Sequence, residues 1–206
     1  MPDRVPMHYD FAGNLDRWGS KNENLVLPLL TILMALVWTI LISYYKKKSE
    51  KADDEKESVS LKSTVKVFDI VGVAQIILFT IMQGFLLYGE YTEVITSATR
   101  QAVDIGKIVC ILMGVFFIIL GNYMTKTRIN SIVGFRNKWS MYNDTTWKKS
   151  NYFGAIGIMI EGVIAIVAAI LMKNSFNAVM LVLGVGVVIL ISGSIYSYKV
   201  YKAEIQ

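Results

Sequence analysis

Five long apolar runs are the feature that most constrains this chain of 206 residues. A bilayer core requires about 20 mostly apolar residues per helix. The runs meet this requirement and are Leu25–Tyr45, Val67–Tyr88, Ile105–Tyr123, Gly154–Met172 and Phe176–Tyr198. None shows the short alternation of polar and apolar residues that is typical of barrel strands. We therefore predict an all-α, polytopic helical membrane protein with five transmembrane helices and a small N-terminal extracytoplasmic cap.

Lysine and arginine are divided unequally between the segments that join these runs. If the helices alternate in direction, three segments on one side hold 15 of these residues, and three on the other hold five. The basic side has the charged linker 46–66, the signature loop 124–153 and the tail 199–206. The other side has the N-terminal segment 1–24, the outer loop 89–104 and the turn 173–175. Because positive charge accumulates on the cytoplasmic side, we expect the N-terminus outside and the C-terminus in the cytoplasm.

The residue types restrict the chemistry of the chain. Its one cysteine, Cys110, lies in an apolar run and is expected to pack as a small hydrophobic residue. With one histidine, a conventional histidine or cysteine metal cluster cannot form. His8, Asp10 and Asp16 leave a metal site near the N-terminus as a weaker alternative. Catalysis needs clustered acids, a histidine or a nucleophile–base pair, so we predict no enzyme activity and no cofactor.

The N-terminal segment is short and punctuated by proline and glycine. Gly13-Asn14 predicts a tight turn, because both residues tolerate positive φ. Taken alone, the segment reads as an ordered cap at the membrane surface with Trp18 as an interfacial anchor. The alternative is an outer contact for a receptor or toxin, with Pro6, His8, Asp16, Trp18 and Lys21 as the contact residues.

The same segment resembles the extracytoplasmic domain that opens the SdpI family of bacterial membrane proteins. The matching residues are Pro2, Val5, Pro6, His8, Tyr9, Gly13, Asp16, Gly19, Ser20 and Lys21, followed by an apolar helix. In that family a first transmembrane helix usually precedes this domain. This chain starts where that helix should end, so the resemblance implies a helix missing upstream of Met1 or a natural short form.

The two long basic segments differ in character. The linker 46–66 has seven basic and five acidic residues and is expected to be solvated and mobile. A contact with anionic lipid or a partner is the alternative. The signature loop carries a net charge of +5 and several aromatic residues, which indicates an inside-positive loop at the aromatic belt. Direct nucleic-acid binding is not expected, because aromatic and cationic residues alternate at any membrane surface.

A finer prediction concerns a helix start within the signature loop. Asn143 or Ser140 could cap it. With Asn143 as the cap, Trp147 would fall one turn into the helix, with Lys148 about 100° around from it. Such an amphipathic stretch suits the headgroup boundary, so we predict an ordered, re-entrant or surface-lying element.

The signature loop also resembles the SdpI family. The matching residues are Gly121, Asn122, Met124, Asn130, Gly134, Arg136, Trp139, Asn143 and Trp147. The chain departs from the family pattern at Asn137-Lys138, where Thr-Pro is common. It also departs at Ser140, where Thr is common, and at Ser150-Asn151, where Thr-His is common. We predict that Asn130, Gly134, Arg136, Trp139, Asn143 and Trp147 form a partner or lipid contact.

Glu161 is the acid that lies well inside an apolar run. A charge at that depth is costly, and its helix face carries the small residues Gly154, Gly157, Ala165 and Ala168. Small faces let helices approach closely, so Glu161 is expected to face the bundle. Gln75 and the Ser192/Ser194 pair are candidate hydrogen-bond partners. The residue is either a structural clamp or a proton- or ligand-coupled site, and we favour the clamp.

The resemblance implies an immunity and signalling protein in the bacterial cell membrane. Family members protect the cell against a secreted, membrane-active peptide toxin, and the best-known type is thought to sequester a cytoplasmic repressor. The expected partners are thus the lipid bilayer, a toxin outside and a repressor inside. The alternative is a small transporter or flippase with Glu161 as the coupling site, although no inverted repeat or interrupted helix supports it.

Overall fold

A small sheet followed by five long helices makes up the computed structural model, which describes residues 1–10, 12–130 and 132–206. The elements are β1 (Arg4–Tyr9), β2 (Leu15–Ser20), α1 (Val26–Glu50), α2 (Glu55–Thr96), α3 (Ile105–Met124), α4 (Asp144–Leu171) and α5 (Ser175–Glu204). A 3₁₀ turn, Lys21–Leu25, joins β2 to α1. All five described helices are long and apolar enough to cross a membrane. The predicted all-α membrane fold is confirmed.

Helix α2 is longer than a bilayer requires. Its 42 residues span about 63 Å at 1.5 Å per residue, whereas a bilayer with its headgroups is about 40–45 Å thick. The helix therefore projects beyond the membrane, and its first turns belong to the stretch that was expected to be a mobile linker.

The segment 46–66 is exposed at most positions from Lys46 to Glu57, as expected of a solvated linker, but it is helical except at residues 51–54. Only residues 51–54 separate α1 from α2. Asp54 is the N-cap of α2, and its carboxylate accepts the backbone N–H of Lys56 at 3.1 Å. The Ser58 hydroxyl donates to the backbone oxygen of Ser49 at 3.1 Å and ties the two helices together. Acidic residues in the first turn of α2 also complement the helix dipole.

The helices form two packed groups. Helix α1 lies along α2, and α4 lies between α3 and α5. In the first group Trp38 of α1 lies against Gly72 of α2, where a Cβ would come within 2.9 Å of the indole. The Trp38 indole N–H donates to Gln75 at 2.7 Å. A small residue thus makes room for an aromatic ring, whose polar atom is satisfied by the facing helix.

In the second group α3 and α4 touch through their backbones. A Cβ at Gly114 would lie 2.6 Å from the backbone oxygen of Gly162, and one at Gly121 would lie 2.6 Å from that of Ala155. The small residues recur every seven positions on both helices, which keeps them on one seam of a left-handed crossing. Close approach of this kind is how helices gain packing energy in lipid.

The N-terminal cap is an antiparallel hairpin of β1 and β2. Its turn contains the predicted Gly13-Asn14 pair, and Gly13 has φ of +79°. The carboxylate of Asp10 accepts the backbone N–H groups of Ala12 and Asn14, both at 2.8 Å. The Asn14 amide and these backbone donors hold the pKa of Asp10 below its ordinary value. The cap is thus ordered by its own turn chemistry.

The cap is fixed to the helical bundle at the end where α2 ends and α3 begins. The backbone N–H of Leu15 donates to the oxygen of Thr99 at 2.9 Å, and that of Gln101 donates to the oxygen of Gly13 at 3.1 Å. The Tyr9 hydroxyl donates to the carboxylate of Glu93. The signature loop lies at the opposite end, with the α1–α2 connection and the C-terminus.

We expect Gly162→Val to destabilise the folded protein by about 1–3 kcal/mol, because the new side chain overpacks the α3–α4 seam. The measurement is thermal unfolding of the purified protein in detergent. Gly84→Val is the matched control, because no atom lies within 4 Å of a Cβ at Gly84. Equal melting temperatures for both variants would contradict the backbone contact.

Candidate functional site

The candidate site is the signature loop together with the helix ends that hold it. Residues 125–143 connect α3 to α4, and residues 144–153 form the first turns of α4. Four backbone carbonyls at the C-terminus of any helix lack partners within that helix. At the end of α3 the carbonyls of Gly121, Tyr123 and Met124 accept backbone N–H groups of residues 125–127, and side chains of α4 add further donors to this turn.

Trp147 and Asn151 lie one turn apart on α4 and donate hydrogen bonds to this turn. The Trp147 indole N–H donates to the backbone oxygen of Thr127 at 3.1 Å. The Asn151 amide donates to the backbone oxygen of Met124 at 2.5 Å and to the Thr127 hydroxyl at 2.9 Å. Both side chains are 2% exposed. We name this set of contacts the α4 latch.

The α4 latch also holds the middle of the loop. The carbonyl oxygen of the Asn151 side chain accepts the backbone N–H of Phe135 at 3.1 Å. Gly134 precedes it with φ of +133°, a conformation that favours glycine. A Cβ at Gly134 would also lie 2.5 Å from the Trp147 ring. Both the backbone conformation and the lack of room for a side chain therefore require glycine at position 134, which is one of the predicted site residues.

Phe135 fills the space between two helices. Its ring lies over Gly154 of α4 and Gly193 of α5, where an added Cβ would lie 2.8 Å and 2.6 Å from the phenyl group. The sequence reasoning did not assign Phe135 a role. The sequence feature that could have indicated its role is the pair Gly154 and Gly193, which leave space for an aromatic ring from the loop.

Asn130 forms the first turn of the loop from within. Its amide donates to the backbone oxygens of Arg128 and Val133 at 2.8 and 2.9 Å. Its side-chain oxygen accepts the backbone N–H groups of Ile132 and Val133 at 2.9 and 2.7 Å. All four contacts are local and Asn130 is 7% exposed, so its side chain orders the loop and is not presented to a partner.

The second turn leads into α4 through a series of caps. The side-chain oxygen of Asn137 accepts the backbone N–H of Ser140 at 2.8 Å. The backbone oxygen of Ser140 accepts the Thr146 hydroxyl at 3.2 Å. Asn143 is the N-cap of α4 and accepts the backbone N–H of Thr146 at 2.8 Å. Of the two predicted caps, Asn143 is thus the one that forms. Asn137 and Ser140, which depart from the family pattern, still build an ordered turn.

The predicted headgroup position of Trp147 is wrong. The ring is buried in the α4 latch, and α4 continues from Asp144 through the apolar run to Leu171. The helix that Asn143 caps is therefore continuous with the membrane-spanning helix α4 and is not a separate amphipathic element. The hydrogen bond to Thr127 and the close fit at Gly134 outweigh the tendency of tryptophan to lie at an interface.

The exposed part of the signature loop is cationic and aromatic. Arg136 and Lys138 are exposed, and the Lys138 ammonium lies 5.2 Å from the centre of the Trp139 ring. Trp139 packs edge-on against Tyr198 of α5 at 5.2 Å. A similar pair, Tyr142 and Tyr201, lies at 4.9 Å. Helix α5 thus supports an outward-facing surface that includes the predicted residues Arg136 and Trp139.

The predicted contact residues of the cap differ in how far they are buried. Pro6 is fully buried and cannot contact a partner. Trp18, in the partner strand, is 47% exposed. His8 and Asp16 form an exposed pair at 2.6 Å, while Asp10 is held in its own turn, so the alternative three-residue metal site does not assemble.

Lys21 lies at the edge of the cap. It pairs with Asp3 at 2.8 Å, and its hydrogen bond and positive charge lower the pKa of Asp3. Both side chains remain largely exposed. Lys21 therefore stays in the set of cap residues that a partner can reach, together with Trp18, His8 and Asp16.

Acidic residues that were not predicted lie between the cap and the bundle. Glu93 accepts hydrogen bonds from the Tyr9 hydroxyl and from the backbone N–H of Ala102. Glu90 accepts the Asn24 amide at 2.5 Å. Burial, with the hydrogen bond to Glu93, raises the pKa of Tyr9. The residues beside these contacts line a cavity of about 420 Å³. The sequence feature that could have indicated this site is the pair Glu90 and Glu93, two acids one turn apart at the end of an apolar run.

Glu161 faces α5, as its small-residue face predicted. A Cβ at Gly186 would lie 2.7 Å from its carboxylate, and Ala165 and Ala168 on the same face are buried. The expected hydrogen bonds do not form. Gln75 belongs to the α1–α2 group, where it accepts from Trp38, and Ser192 and Ser194 donate to backbone oxygens of their own helix.

Comparison with known proteins gives matches to two regions, one that includes the cap and one that includes most of the signature loop. Residues 126–197 match the SdpI/YfhL protein family, and residues 1–32 match a domain of unknown function, DUF1648. The chain is 25% identical over 202 residues to the immunity protein SdpI of Bacillus subtilis strain 168, covering 98% of this chain and 86% of that protein. No solved structure matches the chain. The resemblance read from the sequence is confirmed.

We expect Asn151→Leu to destabilise the protein by about 2 kcal/mol or more, because the backbone N–H of Phe135 loses its partner and the Met124 oxygen and Thr127 hydroxyl each lose one of theirs. Thermal unfolding in detergent measures the loss. The released loop should also be cut faster by trypsin after Arg136 and Lys138. Asn177→Leu, at an exposed position of α5, is the matched control. Unchanged melting and cleavage in Asn151→Leu would contradict the latch.

We expect Glu161→Gln to keep the melting temperature and the membrane level of the wild type, because the amide has the shape of the acid and meets the same Gly186 surface. A purely structural role for Glu161 predicts this tolerance. Loss of cellular function at normal membrane levels would instead indicate a proton-coupled step.

Proposed function

Because residues 126–197 belong to the SdpI/YfhL protein family, we propose that this multi-pass membrane protein is an immunity protein that protects its cell against a secreted, membrane-active peptide toxin. The observation that supports this most is the 25% identity over 98% of the chain to a protein named for immunity. The proposed action is binding, without catalysis or a cofactor. The charge distribution supports an orientation with the cap outside and the signature loop in the cytoplasm.

On this proposal the cap is the part that meets the toxin. Its exposed residues Trp18, His8, Asp16 and Lys21 combine an aromatic surface with charges of both signs. The cap is hydrogen-bonded to the α2–α3 connection at Thr99. A conformational change in the cap would therefore be transmitted directly to helices α2 and α3.

The signature loop is the proposed cytoplasmic contact, including sequestration of a transcriptional repressor. The α4 latch fixes the loop, on which Arg136 and Lys138 are exposed and Trp139 lies half-buried against Tyr198 of α5. Arginine and tryptophan supply much of the energy of protein interfaces. An ordered surface also loses less conformational entropy when a partner binds.

The test is to expose cells with and without this chain to secreted peptide toxins and to record membrane depolarisation. We expect the chain to protect, and Arg136→Ala and Trp139→Ala to lose most protection while membrane levels hold. Loss of a central interface residue costs about 2 kcal/mol, roughly thirty-fold in affinity. Lys56→Ala and Tyr88→Ala are controls, because they remove an exposed cation and an exposed aromatic residue elsewhere.

Two results would contradict different parts of the proposal. If the wild-type chain gives no protection against any of the peptides, the immunity function is wrong for this chain. If the chain protects and both loop variants protect equally well, the immunity function stands and the assignment of the loop is wrong. Repressor sequestration is checked separately, by the recruitment of a fluorescent repressor to the membrane in cells that carry each variant.

A further inference from the structure

An apolar groove runs between α4 and α5 on the side of the bundle away from α3. It has a volume of about 890 Å³. Its walls include Ile156 and Ile160 of α4 and Val188 of α5. Ile160 and Val188 are 53% and 64% exposed, so the groove opens toward the surface that lipid covers. Neither the family match nor the proposed immunity function assigns it a role.

Glycine makes the groove deep. Gly184 lines it, and no atom lies within 4 Å of a Cβ built there. The space next to this glycine is therefore available to a ligand. This differs from the α3–α4 seam, where the glycines allow two helices to touch.

One end of the groove is polar. Lys149 and Tyr152 line it at the end nearest the signature loop. Both are exposed, and the Lys149 ammonium makes no hydrogen bond or ion pair with any residue that the structure describes. The groove thus combines an apolar channel with one available cation and one hydroxyl at its entrance.

The length of the groove matches one leaflet of a bilayer. From Lys149 to Ile160 the rise along α4 is about 16 Å at 1.5 Å per residue. The hydrocarbon core is about 30 Å thick, so one leaflet contributes about 15 Å. With Lys149 at the headgroup boundary, the apolar part of the groove reaches about as deep as a lipid tail.

The groove has a size that suits a small ligand. Its volume of about 890 Å³ lies within the range of about 300–1,000 Å³ that is usual for small-molecule sites. A flexible acyl chain can follow this apolar space, and the cation at its entrance is complementary to a phosphate.

We propose that this groove binds an anionic phospholipid, with one acyl chain along Gly184 and the phosphate on Lys149. Lipid tails are as apolar as the groove, so removal from water gives no preference for this site. The preference among lipids must come from the headgroup. Lys149 attracts negative charge, and the Tyr152 hydroxyl can donate to a phosphate or ester oxygen. The bound lipid covers the α4–α5 contact at the end where the signature loop is attached.

The test uses native mass spectrometry of the full chain released from detergent after incubation with phosphatidylglycerol or phosphatidylcholine of the same acyl chains. We expect the wild type to retain one phosphatidylglycerol, with about a fivefold preference over phosphatidylcholine, the effect of one lysine near a headgroup. Lys149→Gln should remove most of this preference. Lys148→Gln is the matched control, because it removes an equal charge from an exposed position outside the groove lining.

A second pair of variants tests the channel itself. Gly184→Phe fills the open space and should reduce binding of both lipids severalfold. Gly84→Phe adds the same ring at another open glycine, on α2, and should leave binding unchanged. Circular dichroism and melting temperature of each variant establish that the chain is folded, so that a loss of lipid can be attributed to the groove.

Three outcomes would overturn the proposal. The first is equal retention of the two lipids by the wild type. The second is equal retention of lipid by Gly184→Phe and Gly84→Phe. The third is a dimer that Gly184→Phe dissociates, because a second copy of the chain would then be the occupant. None of these outcomes depends on protection against a toxin, so they leave the proposed immunity function as it stands.

Discussion

The hydrogen bonds from Trp147 and Asn151 to the end of α3 are the interaction on which the candidate site depends. The turn that ends α3 already receives backbone N–H groups, and two side chains one turn apart on α4 add donors to its carbonyls. Because Asn151 also binds the backbone of Phe135, the same latch joins two helices and fixes the loop between them. Arg136 is exposed on this ordered loop, and Trp139 lies half-buried against α5.

Glycine has opposite effects at two helix contacts in this bundle. At Gly114 and Gly162 the absence of a side chain brings α3 and α4 into backbone contact, which gives a close, dry seam. At Gly184 the facing helix does not fill the space, and a groove remains on the lipid side. Gly184 lies at the open edge of the α4–α5 contact, whereas Gly157 and Gly186 lie within that contact, against Ile189 and Glu161. The groove is therefore a feature of the outer edge of a closely packed pair of helices.

Much of the architecture was predicted from the sequence, because its signals are local. The length of each apolar run determined the number of helices, and the turn chemistry of Gly13-Asn14 indicated an ordered cap. The small residues around Glu161 predicted that it faces another helix. The signature residues were also found together in one loop. What their side chains do was harder to predict, since Asn130 and Trp147 act inside the protein while Arg136 and Trp139 face outward. A motif of polar and aromatic residues looks the same in both cases.

The sequence by itself determined that this chain is a five-helix membrane protein with a cap, because hydrophobic length and turn residues act over short distances along the chain. Only the tertiary structure decided the burial of Trp147, the pairing of Gln75 with Trp38 and the contacts of Glu93 with the cap. Each of these depends on a hydrogen-bond partner outside the helix of the residue concerned and at least 20 residues away in the chain. A buried polar atom takes whichever partner the packing brings within hydrogen-bonding distance, and the packing of helices is set by their whole surfaces and not by a local motif.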